Sequence, residues 1–151
     1  LATAGDQDLL EHFRQQISDP GRPGGTFDFW RGWVEQAADW VMRDGGENYR
    51  RYLKSSAELP TVAVRLKAIQ DQYEDLLTES LEKECAHCSN LVSPPRLIAG
   101  MLLAGHNYVL RCHAREKIDL KTEALAVIQG VEESVGHLLV TTQASTGTGG
   151  G

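Results

Sequence analysis

The residues best placed to do chemistry are thiols, imidazoles and a dense set of aromatic rings. Cys85-Ala86-His87-Cys88 holds two thiols two residues apart with an imidazole between them, and Cys112-His113 could add two more ligands. Zinc sites do use paired cysteines at this spacing. A strong zinc signature needs a second spaced pair, however, and Cys112 and His113 are adjacent, so the expectation is that no metal is held. Glu84 and His87 have the Glu-x-x-His spacing of di-iron bundles, which require a second such motif on a facing helix. None occurs. His106 and His113 lie seven apart and near one helical face, and His137 follows Glu133 by four, the spacing of a surface ion pair. No Gly-rich phosphate loop, nucleophile elbow or His-Glu-x-x-His motif is present. Neither catalysis nor a cofactor is therefore expected, and the chain does not read as an enzyme.

The aromatic set is Phe29, Trp30, Trp33, Trp40, Tyr49, Tyr52 and Tyr73, with all three tryptophans inside eleven residues. Rings with apolar bodies and polar tips are what a small-molecule pocket uses. They are equally what a helical core uses, and composition does not separate a cavity from plain core.

Helices must position these groups. Residues 6–17 place Leu9, Leu10, Phe13 and Ile17 on one face, with Asp6 able to cap the start. The run Ser18-Asp19-Pro20-Gly21-Arg22-Pro23-Gly24-Gly25 stops that helix. Thr26 caps a second helix, 27–43, whose apolar stripe runs Phe29/Trp30, Trp33/Val34, Ala37 and Trp40/Val41 before Gly45-Gly46. A third, 47–58, carries Tyr49, Tyr52 and Leu53, and Pro60 breaks the chain after it. The fourth begins at Thr61 and shows Val62, Leu66, Ile69, Tyr73, Leu76/Leu77 and Leu81 on one side. Residues 85–93 read as a loop, with Ser93 capping a fifth helix over 95–117. That helix is apolar or small almost all round from Leu97 to Leu110, so it is expected to be buried on every side. The sixth, 121–140, repeats the theme, and 141–151 is a polar, Gly-rich tail expected to be mobile. No alternating run suggests a sheet. The expectation is one all-α domain of six helices over 1–140.

Small residues in the last two helices point outward from the chain itself. Gly100 and Ala104 are four apart, as are Gly130 and Ser134, and each pair would let a neighbouring backbone approach. Glycine costs up to about 1 kcal/mol relative to alanine inside a helix, so its repetition needs a reason. Close packing supplies one, either within the chain or across a two-fold axis, with Leu103, Asn107 and Leu138 as further interface candidates.

Bulk properties narrow the class. The formal charge is −6, against the basic face that phosphate neutralisation demands, so these residues alone are not expected to bind DNA. No apolar run approaches the roughly 20 residues of a membrane span, and no signal segment opens the chain. Three cysteines without a secretion signal suggest free thiols in a reducing compartment, hence a cytoplasmic protein with no membrane partner. The first residue is Leu1 and not Met, which suggests a fragment or a processed form.

This helix order resembles the C-terminal half of TetR-family transcriptional regulators. The stretch Ser56-Ala57-Glu58-Leu59-Pro60-Thr61-Val62-Ala63-Val64-Arg65-Leu66, followed by Tyr73, Leu76 and Leu77, carries the first part of the likeness. Pro94-Pro95-Arg96-Leu97-Ile98-Ala99-Gly100-Met101-Leu102-Leu103-Ala104-Gly105 and the helix at Lys121 carry the second. The resemblance implies that the aromatic set, together with Met101 and His106, lines a cavity for a small, mainly apolar effector. It also implies that the last two helices pair with their copies in a homodimer. Leu9, Leu10, Phe13 and Ile17 would then couple the first helix to the pocket. The family's helix-turn-helix head is not in these residues, so DNA would be met only through a head outside them. The rival expectation is a helical scaffold or adaptor with no small ligand.

Overall fold

The computed structural model describes residues 3–85 and 93–139, and all regular structure among them is helical. The order is α1 (Thr3–Ile17), α2 (Thr26–Val41), a 3₁₀ turn (Met42–Asp44), α3 (Glu47–Glu58), α4 (Pro60–Glu84), α5 (Pro94–Arg115), α6 (Leu120–Val135) and a 3₁₀ turn (Gly136–Leu138). His87 and Cys88 of the candidate zinc cluster, the loop 86–92, Val140 and the tail 141–151 lie outside the described residues.

Each helix begins or ends for a local reason. α1 starts three residues earlier than the pattern suggested, so Asp6 sits inside its first turn and does not cap it. The cap of α2 is Gly25, not Thr26. Thr26 instead turns its hydroxyl inward, 2.6 Å from Ser80 Oγ and donating to Glu84 Oε1 at 2.7 Å, while its backbone N–H donates to the same carboxylate oxygen. Glu84 thus satisfies the open amide end of α2 from the far end of α4. Arg22 adds hydrogen bonds to Ser80 Oγ and to the Ile17 carbonyl, tying down the Pro-Gly loop. Gly45 and Gly46 take φ of +75° and +84°, which lets the chain turn sharply into α3. Pro60 and Pro94 open α4 and α5, where the missing amide costs nothing. Asp119 caps α6 by accepting from Thr122 N.

α5 is the centre of the molecule, packed on α4 along one side and on α6 along another, with α3 at its C-terminal end. α2 lies on α6, bridged by Arg31 to Glu132 and by Lys121 to Asp39, and α1 lies on α4. The pairing of residue 31 with 132 and 39 with 121 makes α2 and α6 antiparallel. The core runs through Leu10, Phe13, Trp30, Val34, Leu77, Leu81, Ile98, Leu102, Val109, Ala124 and Ile128.

Two expectations about α1 and α5 need correction. Leu9 does not join the core face of α1 but is exposed, leaving Leu10, Phe13 and Ile17 to make the contact. α5 is not buried all round: Leu97 is 43% and Tyr108 60% exposed, and Ala104 between them faces outward too. Its flanks are covered by α4 and α6, and the side that carries Leu97, Ala104 and Tyr108 has no cover among the described residues.

Candidate functional site

Phe13 of α1 is wholly buried and touches four other rings: Phe29 at 5.5 Å, Trp30 at 6.1 Å, Trp33 at 4.8 Å and Tyr73 at 4.8 Å between centroids. Trp30 meets His106 of α5 edge-on at 5.7 Å. Helices α1, α2, α4 and α5 therefore each contribute a ring to one interior. Met101 is partly buried against the same core.

The remaining rings form a separate group. Trp40 stands edge-on to Tyr49 at 6.4 Å, and Tyr49 lies 5.8 Å from Tyr52. Trp40 is 60% exposed with Arg43 over its face at 5.7 Å. Trp33 and Trp40 occupy nearly the same angular position on α2, two turns apart. That is about 10 Å along the axis, so the α1 rings that cover Trp33 do not reach Trp40.

The first group is unusual in its polar atoms. Trp30 Nε1 and His106 Nδ1 are both buried without a hydrogen-bond partner. Leaving such atoms unpaired costs roughly 1–3 kcal/mol each, a cost that plain core avoids by using phenylalanine and leucine. Burial pushes the His106 pKa down to about 4, so the ring is neutral at neutral pH and presents one donor and one acceptor. The indole N–H is a donor. Together they leave two buried polar atoms that a hydrogen-bonding partner would satisfy.

Sequence reasoning missed Phe13 as the ring that joins the set, although it placed Phe13 on the face that would couple to it. It also missed Arg22. The guanidinium lies 5.1 Å over the Phe29 ring, at the edge of a cleft of about 210 Å³ between Gln16, Pro23, Gly32, Trp33 and Gln36. A loop arginine among prolines and glycines gives no periodic signal by which to find it.

His113 is fully buried in the corner of α3 and α5, and neither ring nitrogen has a side-chain partner. Burial, then the nearby Arg50 charge, lowers its pKa. Gly46 presses against it: a Cβ there would come 2.7 Å from His113 Nε2. Arg50 Nε donates to the His113 carbonyl at 3.0 Å. The expectation of free thiols is corrected at Cys85, which is disulfide-bonded, while Cys112 is free. The thiol argument for a reducing compartment goes with it. Among the described residues no helix is long and apolar enough to cross a membrane, and no three metal-ligating side chains gather.

The small residues divide by role. Gly105 makes the intrachain approach, because a Cβ there would run into Val127 Cγ1 of α6. Gly130 has nothing within 4 Å of that position among the described residues, and Ser134, Ala104 and Leu138 are also exposed. Gly100 meets only Glu74 Oε1, at 3.9 Å. Leu103 is in the core at 8% exposure, and Asn107 Oδ1 accepts from Gln70 Nε2 of α4 at 3.3 Å.

Comparison with known families, curated proteins and solved structures finds no match to this chain.

Proposed function

We propose that this chain is the effector-binding and dimerisation part of a TetR-like transcriptional regulator, acting on DNA through a head carried elsewhere in the protein. The observation that carries the reading is the pair of buried, partnerless atoms Trp30 Nε1 and His106 Nδ1, on rings in contact inside an interior shared by four helices. A small apolar molecule with one or two polar groups would supply the missing partners. Phe13 gives the relay its physical basis, since α1 shares rings with α2 and α4 at the site. A ligand that fits better with α1 in one position shifts that helix, and with it whatever α1 is joined to. The uncovered side of α5 and the open small residues of α6 favour pairing with a second copy.

The test is a panel of small apolar molecules carrying one or two polar groups, read by tryptophan fluorescence and melting temperature. A binder quenches the tryptophans and raises the melting temperature with its concentration, as mass action requires. Trp33→Ala removes the shift without altering sedimentation. No binder, with Trp33→Ala simply costing about 3–5 kcal/mol of stability as core truncation does, turns the assignment to a helical scaffold.

A further inference from the structure

The cleft beside Phe29 and Trp33 has walls whose parts converge on one kind of ligand. Phe29, Gly32, Trp33 and Gln36 recur at helical spacing, so they share one face of α2 and make the cleft floor. Gln16, near the end of α1, and Arg22, in the loop between the two helices, close its sides. Glycine is, after proline, the costliest residue in a helix interior. A Cβ at Gly32 would meet nothing within 4 Å among the described residues, so packing in the chain gives no reason for a glycine there. A side chain at that position would take up room in the cleft. The half-buried rings of Phe29 and Trp33 lie 24° from parallel with centroids 6.5 Å apart, and they give the cleft a flat apolar wall.

The polar groups at the rim select the ligand's charge. Arg22 is held in place by its Nη1 and Nη2, which donate to the Ile17 carbonyl and to Ser80 Oγ, and its guanidinium lies 5.1 Å over the Phe29 ring. Its Nε–H has no partner among the described residues. Glu84 reaches Arg22 only at 3.9 Å and accepts instead from Thr26. Asp28 also borders the cleft, but it is exposed and paired with Arg31 at 3.1 Å. The amides of Gln16 and Gln36 add donors on either side. A fixed cation and flanking amide donors call for an acceptor that carries negative charge. The volume of about 210 Å³ falls below the roughly 300–1,000 Å³ of pockets for drug-sized molecules, so it suits one ring with a small substituent. We propose that this cleft binds a small aromatic carboxylate, its ring on Phe29 and Trp33 over Gly32 and its carboxylate toward Arg22, Gln16 and Gln36. Neither Trp30 nor His106 lines the cleft, so this site is additional to the interior of the functional reading and does not rest on it.

Benzoate, its neutral near-isostere benzamide and the non-planar cyclohexanecarboxylate test this on the full 151-residue chain at fixed ionic strength. Binding is read from the Trp33 indole N–H resonance, identified by its absence in Trp33→Phe. Benzoate is expected to shift it with a Kd at or below about 1 mM, within reach of so small a ligand. Benzamide should bind about tenfold more weakly, the margin of a charge-assisted hydrogen bond over a neutral one, and cyclohexanecarboxylate should also bind more weakly. Gly32→Leu should raise the melting temperature, because leucine is the better helix former, and abolish the benzoate shift. Arg22→Gln should bring benzoate down to the benzamide level. His106→Gln should leave benzoate binding unchanged. Equal binding of benzoate and benzamide overturns the carboxylate assignment, and no shift by either at about ten times that concentration overturns the site. Gly32→Leu that still binds benzoate overturns the placement over Gly32. Loss of binding in His106→Gln assigns the ligand to the interior and overturns a separate cleft site.

Discussion

At the scale of single residues, the chain spends stability on polar atoms that an apolar side chain would not need. His106 is the clearest case and its cost has a pH signature. In the folded chain burial holds it at about 4, below the ordinary 6.5. With the folded value depressed, the unfolded chain takes up the proton first as pH falls. Stability is therefore full above about 6.5, falls as pH drops toward about 4, and is lost to the extent of roughly 3 kcal/mol. Urea midpoints of the parent and of His106→Gln across this window check it, the parent falling more steeply. Parallel curves would show that His106 is solvated. His113 shifts in the same direction but is present in both proteins, so the difference isolates His106. The types of these residues were legible in the sequence; their unpaired state was not, because it depends on what four helices bring to one point. Asp6 was misread for a smaller reason. Its position relative to the helix start decides whether it caps, and the pattern misplaced that start by three residues.

At the scale of elements, the glycines of α5 and α6 look alike in sequence and differ in the fold. Gly105 lies where α5 presses on Val127, whose branched side chain has little freedom to move aside. Gly130 faces open space among the described residues. Gly105→Ala is expected to destabilise by about 1–3 kcal/mol through overpacking. Gly130→Ala is expected to stabilise the isolated subunit by up to about 1 kcal/mol through helix propensity. Thermal melts of the two variants at low protein concentration decide it, and equal shifts of one sign would refute the division. Most of the helices were legible at this scale because each is bounded by proline, glycine or a polar cap. α3 runs over the residues that the break at Pro60 and the Gly45-Gly46 turn delimit. The clamp of Glu84 on Thr26 was not legible, since it joins residues 58 apart.

At the scale of the whole molecule, α5 and α6 leave a face of Leu97, Ala104, Tyr108, Gly130 and Ser134 without cover among the described residues. If a second copy covers it, a large charge at its middle prevents assembly. Sedimentation at tens of micromolar, a concentration at which a stable interface is occupied, should give a dimer for the parent. Gly130→Arg should give a monomer with unchanged helicity. A parent that sediments as a monomer would remove the dimer from the functional proposal. Leu103 and Asn107 are poor positions for such a variant, the first because it is core and the second because it pairs with Gln70.

The sequence by itself determined the helical class, the number of helices and the apolar face of α4, because apolar spacing and breakers act over a few residues and need no tertiary information; on α2 it put Trp40 inside and passed over Phe27 and Ala38, which are buried. The tertiary structure alone decided which rings meet. Trp33 and Trp40 share a face of α2, yet only Trp33 lies under α1. It also decided that Phe13 joins the set, that Trp30 Nε1, His106 Nδ1 and Asp6 Oδ2 lack partners, and that α5 is open on one side. These are properties of where helices cross, and a crossing is fixed by the packing of both partners at once, which no single stretch of sequence encodes.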